Sequence, residues 1–342
     1  MSAELSFGIA SFAHHHAHHW ARAALAAPEA TLVGIWDDDE ERGRRAADRY
    51  GATFHRRLED LAGHCDAVGV TSETSKHPDH VEVCAAAGAH VLCEKPLAVD
   101  LDGCRRIEAA VQQAGVVFMM NFPKRLDPAS VRLREVVASG ELGEVTLARV
   151  RHGHGHGNDE KFRTAWFQDP TLSGGGTLID EGVHAADFLR WLLGEPLSVW
   201  ATTSSDRLGL EVDDTALAAF VFADGVIAEV CTSWCFHAGQ ASVEVFGTQG
   251  TALLSGVDLA SRDHARPPYL EVATKDQAGG WKGDDVVPAF LGGEFHEQGP
   301  RSFFRCLVEG LPPPTTVHDG ARSLAMILGA YRSARQGERI AL

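Results

Sequence analysis

Asp180 and His184 stand four apart at the end of Gly174-Gly-Gly-Thr-Leu-Ile-Asp-Glu-Gly-Val-His184. On a helix that spacing puts both side chains on one face. The preceding glycines permit a tight loop and the close approach of a ligand. An imidazole suits removal of a proton from an alcohol near neutral pH, and a carboxylate beside it can orient it or share the substrate's hydrogen bonds. Lys95 follows the apolar run His90-Val-Leu-Cys93 and precedes Pro96, which fixes the turn. An ammonium held there can bond a reacting oxygen and stabilise alkoxide character as hydride leaves the carbon.

Two histidine clusters flank these residues in the sequence. In Arg151-His-Gly-His-Gly-His-Gly157, an extended chain would put His152, His154 and His156 on one face. Three imidazoles there suit zinc. The interleaved glycines and the nearby Trp166 favour another reading, a loop over the active site. In it His154 bonds hydroxyl groups of a ligand and Trp166 stacks on a ligand ring; a solvated loop is the alternative, and no metal is expected. The other cluster, His14 to His19, opens a helical pattern in which Ala13, Ala17, Trp20, Ala24 and Ala27 form one stripe. His15 and His19 point away from that stripe, while His14 and His16 flank it. A purification tag would not keep this register. The positive helix N-terminus should keep His14 and His16 neutral, with His16 the one that reaches cofactor or substrate.

These residues need elements to position them. Leu5–Ala10, Thr31–Trp36, Ala67–Val70 and His90–Cys93 are apolar runs that read as buried strands. Helix-like stretches lie between them, up to about Ala27, over Glu41–Tyr50 and over His80–Ala87. Strands alternating with helices at this spacing predict βαβ units and a parallel sheet. The first strand-to-helix turn is then a candidate dinucleotide site of the G-x-G-x-x-G kind. It reads Gly8-Ile9-Ala10-Ser11-Phe12-Ala13, with alanine where the second and third glycines would stand. One methyl at each of those places is a tolerable departure. Asp37 and Asp38 end the second strand, where a carboxylate accepts the ribose hydroxyls. Two acids without an adjacent arginine predict NAD rather than NADP.

After about residue 124 the pattern changes. Leu147–Val150, Val199–Thr203, Ala216–Phe222, Val226–Thr232, Ser242–Phe246 and Ala252–Ser255 read as successive strands, with Val183–Leu193 and the last segment helical. That predicts an α+β second domain with a large, mostly antiparallel open sheet. The expected fold is therefore an α/β Rossmann domain over 1–124 and an α+β substrate-binding and oligomerisation domain over 125–342. A helix at about 320–335 is expected to pack back on the first. A length of 342 residues accommodates two domains. The formal charge of −16 argues against nucleic acid and anionic membranes as partners. Seven cysteines without a C-x-x-C pair, and no apolar run of membrane length, predict a cytoplasmic protein with reduced thiols.

Gly88-Ala-His-Val-Leu-Cys-Glu-Lys-Pro96 and the glycine-rich stretch ending at His184 together resemble the glucose–fructose oxidoreductase / inositol dehydrogenase / MocA family. The Glu94-Lys95-Pro96 triplet and the GGG…D-x-x-x-H stretch look like that family's hallmarks. The likeness extends to Phe122-Pro-Lys-Arg-Leu-Asp-Pro128, where Pro123 replaces a more usual asparagine, and to Phe304–Leu342. By resemblance Lys95, Asp180 and His184 form the catalytic trio, His184 being the acid/base, and all three also bind substrate. Glu94, Lys95 and Pro123 would also contact the cofactor, and the loop holding Ser72, Glu73 and His77 would lie along its ribose and nicotinamide side. The implied activity is NAD-dependent oxidation of a secondary alcohol of a sugar, polyol or sugar derivative, in a homodimer or homotetramer joined through the second-domain sheet. An enzyme that keeps NAD bound and oxidises transiently, for glycoside cleavage or epimerisation, is an alternative. A non-catalytic sugar or NAD sensor is another.

Overall fold

The computed structural model describes residues 5–276 and 279–342. The chain divides into two compact units, 1–123 with 296–321, and 124–295 with 322–342. Residues 296–321 group with the first unit and 322–342 with the second.

In the first unit the order is β1 (Leu5–Ala10), α1 (Ala17–Ala26), β2 (Ala30–Trp36), α2 (Glu40–Tyr50), β3 (Thr53–His55), α3 (Leu58–Ala62), β4 (Ala67–Val70), α4 (His77–Ala86), β5 (His90–Cys93), α5 (Leu101–Ala114) and β6 (Phe118–Met120). The strands lie in the order β3-β2-β1-β4-β5-β6, and every pair is parallel. This is the doubly wound dinucleotide-binding order, and its chain reversal between β1 and β4 opens a crevice at the strands' carboxyl ends. Strands covered on both faces must be apolar throughout; β4, Ala-Val-Gly-Val, is wholly buried. Helix boundaries follow local chemistry. The Asp39 side chain accepts from Arg42 N at the start of α2, and Gly51 closes it at φ 69°.

α1 begins at Ala17, not at Ala13. Ser11 sits at φ 75°, and the chain then bends through His14–His16 before helical geometry sets in. His14 N donates to Thr71 O at 3.0 Å, which ties this turn to the end of β4. The stripe that α1 buries is Ala17, Trp20, Ala21, Ala23 and Ala24.

The second unit contains α6 (Pro128–Ala138), β7 (Val145–Gly153), α7 (Glu160–Arg163), α8 (Pro170–Ser173), α9 (Thr177–Asp180), α10 (Gly182–Leu193), β8 (Ser198–Ser204), β9 (Thr215–Val221), β10 (Ile227–Ser233), β11 (Ala241–Gly247), β12 (Gly250–Ser255), α11 (Leu259–Arg262), β13 (Leu270–Thr274) and β14 (Lys282–Asp284). α12 (Gln298–Glu309) belongs to the first unit, α13 (Val317–Gln336) follows it, and β15 (Ile340–Ala341) ends the chain. Nine strands form one sheet, β14-β13-β12-β11-β7-β10-β9-β8-β15. Among the described residues of this sheet, only β7 and β10 pair in parallel. Strict alternation of burial along β9 shows one face packed and the other open. No described helix is long and apolar enough to cross a membrane.

Candidate active site

The turn after β1 is held from the end of β2. Asp37 is 4% exposed, and its Oδ2 accepts from Phe12 N at 2.7 Å. Ser11 N donates to Trp36 O at 2.7 Å, and Ala13 N reaches Ser11 Oγ at 3.2 Å. Gly8 is required by packing: a Cβ there would lie 2.8 Å from Cys65 Sγ and from Leu61. Ala10 is fully buried within the sheet. The expectation that no arginine lies near the two acids is corrected. Arg42, five residues on in the first turn of α2, donates to Asp37 from Nε at 2.8 Å and from Nη2 at 2.6 Å. It also reaches Asp38 at 3.0 Å, and Lys76 bonds the other Asp38 oxygen. Burial pushes the Asp37 carboxyl up despite Arg42. Burial likewise opposes ionisation of Asp38, but Lys76 and Arg42 outweigh it and hold that group at about 2.

Fully buried Glu94 organises the Lys95 turn. Its Oε1 receives His16 Nδ1 at 2.9 Å and Asn121 Nδ2 at 2.8 Å, while Oε2 accepts from Lys95 N at 3.0 Å. Burial raises the Glu94 pKa, against the pull of Lys95 and these donors. Lys95 is itself only 3% exposed. The expected loop after β4 is committed to the protein: His77 contacts Pro96 O at 2.9 Å and Ser72 O at 3.1 Å, and Ser72 Oγ bonds His80. His77 therefore straps this loop to the Lys95 turn, and Glu94 positions that turn. Pro123 opens a short 3₁₀ turn at the end of the unit. His15 is exposed, as expected, and His14 and His16 are buried, but His19 is half-buried rather than solvent-facing. Burial is the largest cause holding His14 and His16 well below the usual histidine range, with neighbouring charges adding to it. The helix N-terminus is not needed to explain their neutrality.

In the second unit the glycine-rich stretch is pinned by Asp213, which sequence reasoning missed. Its carboxylate accepts from Gly176 N at 2.9 Å, Leu178 N at 2.8 Å and Tyr331 OH at 2.7 Å. A Cβ on Gly176 would come within 1.9 Å of Asp213 O, so only glycine fits. Asp180 ends α9 and His184 lies in the first turn of α10, so the pair spans a helix junction rather than one helix. Asp180 Oδ2 accepts from Trp234 Nε1 at 3.1 Å. Glu181, also missed, meets His152 Nε2 at 3.2 Å and His154 Nε2 at 3.4 Å. The His152 ring lies 5.0 Å from that of His184. All five groups are less than a tenth exposed. The three histidines of the 152–156 run do not share a face. β7 ends at Gly153, His154 turns inward with His152, and His156 sits exposed in a 3₁₀ turn. Trp166 stacks on Phe167 at 4.0 Å, which covers one face of its indole.

Lys124 is another residue the sequence did not flag. It is fully buried, donates to Val257 O at 2.7 Å, and burial brings its pKa down to about 8 against the pull of Asp258, Asp127 and Glu181.

The first unit thus has the strand order, turn and β2 carboxylate of a dinucleotide-binding domain, and the second presents a buried acid–histidine group. Comparison with known proteins agrees. Residues 7–122 match the oxidoreductase family with an NAD-binding Rossmann fold, and residues 130–253 match the GFO/IDH/MocA C-terminal domain. The 1,5-anhydro-D-fructose reductase of Ensifer adhaerens is 30% identical over 94% of each chain. The myo-inositol 2-dehydrogenase of Thermotoga maritima is 26% identical over 92% of each. Among solved structures, GenD2 from gentamicin A biosynthesis, in complex with NAD, is 28% identical with a TM-score of 0.82, covering 100% of this chain and 97% of that one. A levoglucosan dehydrogenase in complex with NADH and levoglucosan shares the fold at a TM-score of 0.84 and 23% identity, over 99% of each chain. The chain is a nicotinamide-dependent oxidoreductase, and it belongs to the GFO/IDH/MocA family.

Proposed function

We propose that the protein is a dehydrogenase of a secondary alcohol in a sugar, polyol or sugar derivative, with NAD as cofactor. The observation that carries the reading is the second unit's buried group of Asp180, Glu181, His184, His152 and His154. Several polar side chains gathered in one buried place suit a ligand with several hydroxyls. The relatives named for anhydrofructose and inositol support the same class.

The residues of the β1 turn fit the dinucleotide. Asp37 stands at the end of β2, bonded to the turn's own Phe12 N, where the ribose hydroxyls of a bound dinucleotide are met. When bound, the nicotinamide supplies the hydride acceptor. His184 takes the hydroxyl proton at a ring nitrogen. Lys95 donates to the same oxygen and stabilises its developing negative charge. Asp180 shares the substrate's hydrogen bonds, with its own orientation fixed by Trp234. Glu94, His16, Asn121 and His77 hold Lys95 in place.

The test is turnover with a panel of inositols and aldoses, followed through the absorbance of the reduced nicotinamide. Lys95→Ala and His184→Ala are each expected to lower kcat by about 10³-fold or more, with NAD still bound as measured by calorimetry. Rates near the parent value in both variants would refute the mechanism. The open face of the second sheet carries Trp200 at 47% and Ile227 at 46% exposure, with Leu147 and Phe246 half-buried beside them. A second copy of the chain is the proposed cover, and light scattering checks it.

A further inference from the structure

The first unit holds a group of imidazoles of which the proposed reaction uses His16 alone, through its bond to Glu94. His14, His15 and His16 each offer one ring nitrogen, and the three atoms lie within 4.8 Å of one another. A fourth ring arrives from a distant segment: the His296 centroid is 3.9 Å from that of His16. His19 stands 5.0 Å from His296 on the outer side.

We propose that His14, His15, His16 and His296 form a binding site for one divalent transition-metal ion of the zinc or cobalt type. Imidazole is a preferred donor for these ions. A tetrahedral ion holding nitrogens at about 2.1 Å spaces them roughly 3.4 Å apart, so a small rotation of the rings closes the observed set. His16 is already oriented as a ligand. Its Nδ1 faces the Glu94 carboxylate at 2.9 Å, and a neutral ring that donates there presents its Nε2 lone pair. Carboxylate–histidine–metal arrangements fix the tautomer and raise ligand basicity in this way. Metal binding needs unprotonated rings. Burial, first among the causes, keeps His14, His16 and His296 well below the usual histidine range, with mutual repulsion and Lys95 adding to it. Lys95 opposes a second cation nearby, and Glu94 offsets it. His14 Nδ1 accepts a long bond of 3.2 Å from His16 N, a contact the ring gives up easily when it turns its other nitrogen to an ion. Exposed His15 supplies the entry side.

The untagged chain, with and without NAD, is titrated with Co²⁺ while the visible d–d absorption is followed. The expected result is one equivalent of ion with the intense band of tetrahedral nitrogen coordination. His15→Ala and His296→Gln should each weaken binding tenfold or more, and His154→Gln, in the separate acid–histidine group, should leave it unchanged. Near-UV circular dichroism confirms the fold of each variant, and His15, being exposed, is removed without disturbing the core. No stoichiometric uptake, uptake that survives the His15→Ala/His296→Gln double variant, or uptake lost only in His154→Gln would each overturn the proposal.

Discussion

Residue by residue, the chemistry is set by which charges are answered and which are left for a ligand. Asp37 and Asp38 argue for a cofactor with free ribose hydroxyls, yet Arg42 and Lys76 neutralise them. A 2′-phosphate would meet these cations as well as the acids. The discrimination against NADP should therefore be smaller than two bare carboxylates impose, and Arg42→Ala should widen it. The expected outcome is a fall of about tenfold or more in kcat/KM with NADP, the scale of one lost charge-assisted hydrogen bond, and a smaller change with NAD. Equal losses with both cofactors would assign Arg42 to holding Asp37 alone. Glu181 is the counterpart in the second unit. It contacts two histidines at once, so Glu181→Gln keeps the shape and removes the charge that fixes both rings. We expect kcat/KM for the sugar to fall by about 10- to 100-fold, from one or two charge-assisted contacts, with unchanged NAD affinity in calorimetry. The motif residues Lys95, Asp180 and His184 are legible in the sequence because glycines and a proline mark their turns. Glu181 and Asp213 are not. One sits inside a motif without altering its pattern, and the other lies 33 residues beyond Asp180 in the chain. Only the folded chain shows what each touches.

At the scale of elements, position depends on a few contacts that allow one residue type. Gly176 lies against the Asp213 backbone with no room for a Cβ. Gly176→Ala must shift the start of α9, and with it Asp180 and the first turn of α10. A displacement near 1 Å can cost about 10²-fold in rate, so we expect kcat to fall by that factor while near-UV circular dichroism stays close to the parent. Gly194→Ala is the control. That glycine has φ 88° and open space around its Cβ position, so the change should lower stability by about 1 kcal/mol through backbone strain and spare the rate. Asp187 serves α10 differently. It pairs with half-buried Arg125 at 2.6 and 2.9 Å, and Asp187→Ala should lower stability by about 1–3 kcal/mol through the lost charge-assisted bonds, measured by urea unfolding. The sequence shows these elements where burial is one-sided or complete. Strands β7 to β12 of the second sheet, and β1, β2, β4 and β5 of the first, appear as apolar runs, while β6, β13 and β15 are not read from the sequence. β3 and β14 are three residues long at sheet edges, too short for a period to register. The start of α1 is misread because the helical pattern of its small residues continues back through a turn that Ser11 imposes.

For the whole molecule, the common thread is the number of neutral histidines stored in the first unit. His14, His16 and His296 are held well below the usual range, His77 is lowered, and His80 is brought to about 4, in every case with burial as the largest cause. Lys95, Lys76 and neighbouring imidazoles add to the effect, while Glu94, Asp38 and Asp79 oppose it at individual rings. The folded pKa of each lies below its unfolded value near 6.5. Above that pH both states are unprotonated and these groups contribute no pH dependence. As pH falls through about 6.5, the unfolded chain takes up protons that the fold refuses, so stability drops by about 1.4 kcal/mol per pH unit for each such histidine. The loss continues until the depressed folded values are reached, which for His80 is about 4. Urea midpoints between pH 7.5 and 5.5 should therefore fall steeply below about 6.5 and be flat above 7. His80→Gln should make the slope shallower by about one proton. A midpoint constant down to pH 5.5 would mean that these rings take up protons in the fold as readily as in the unfolded chain.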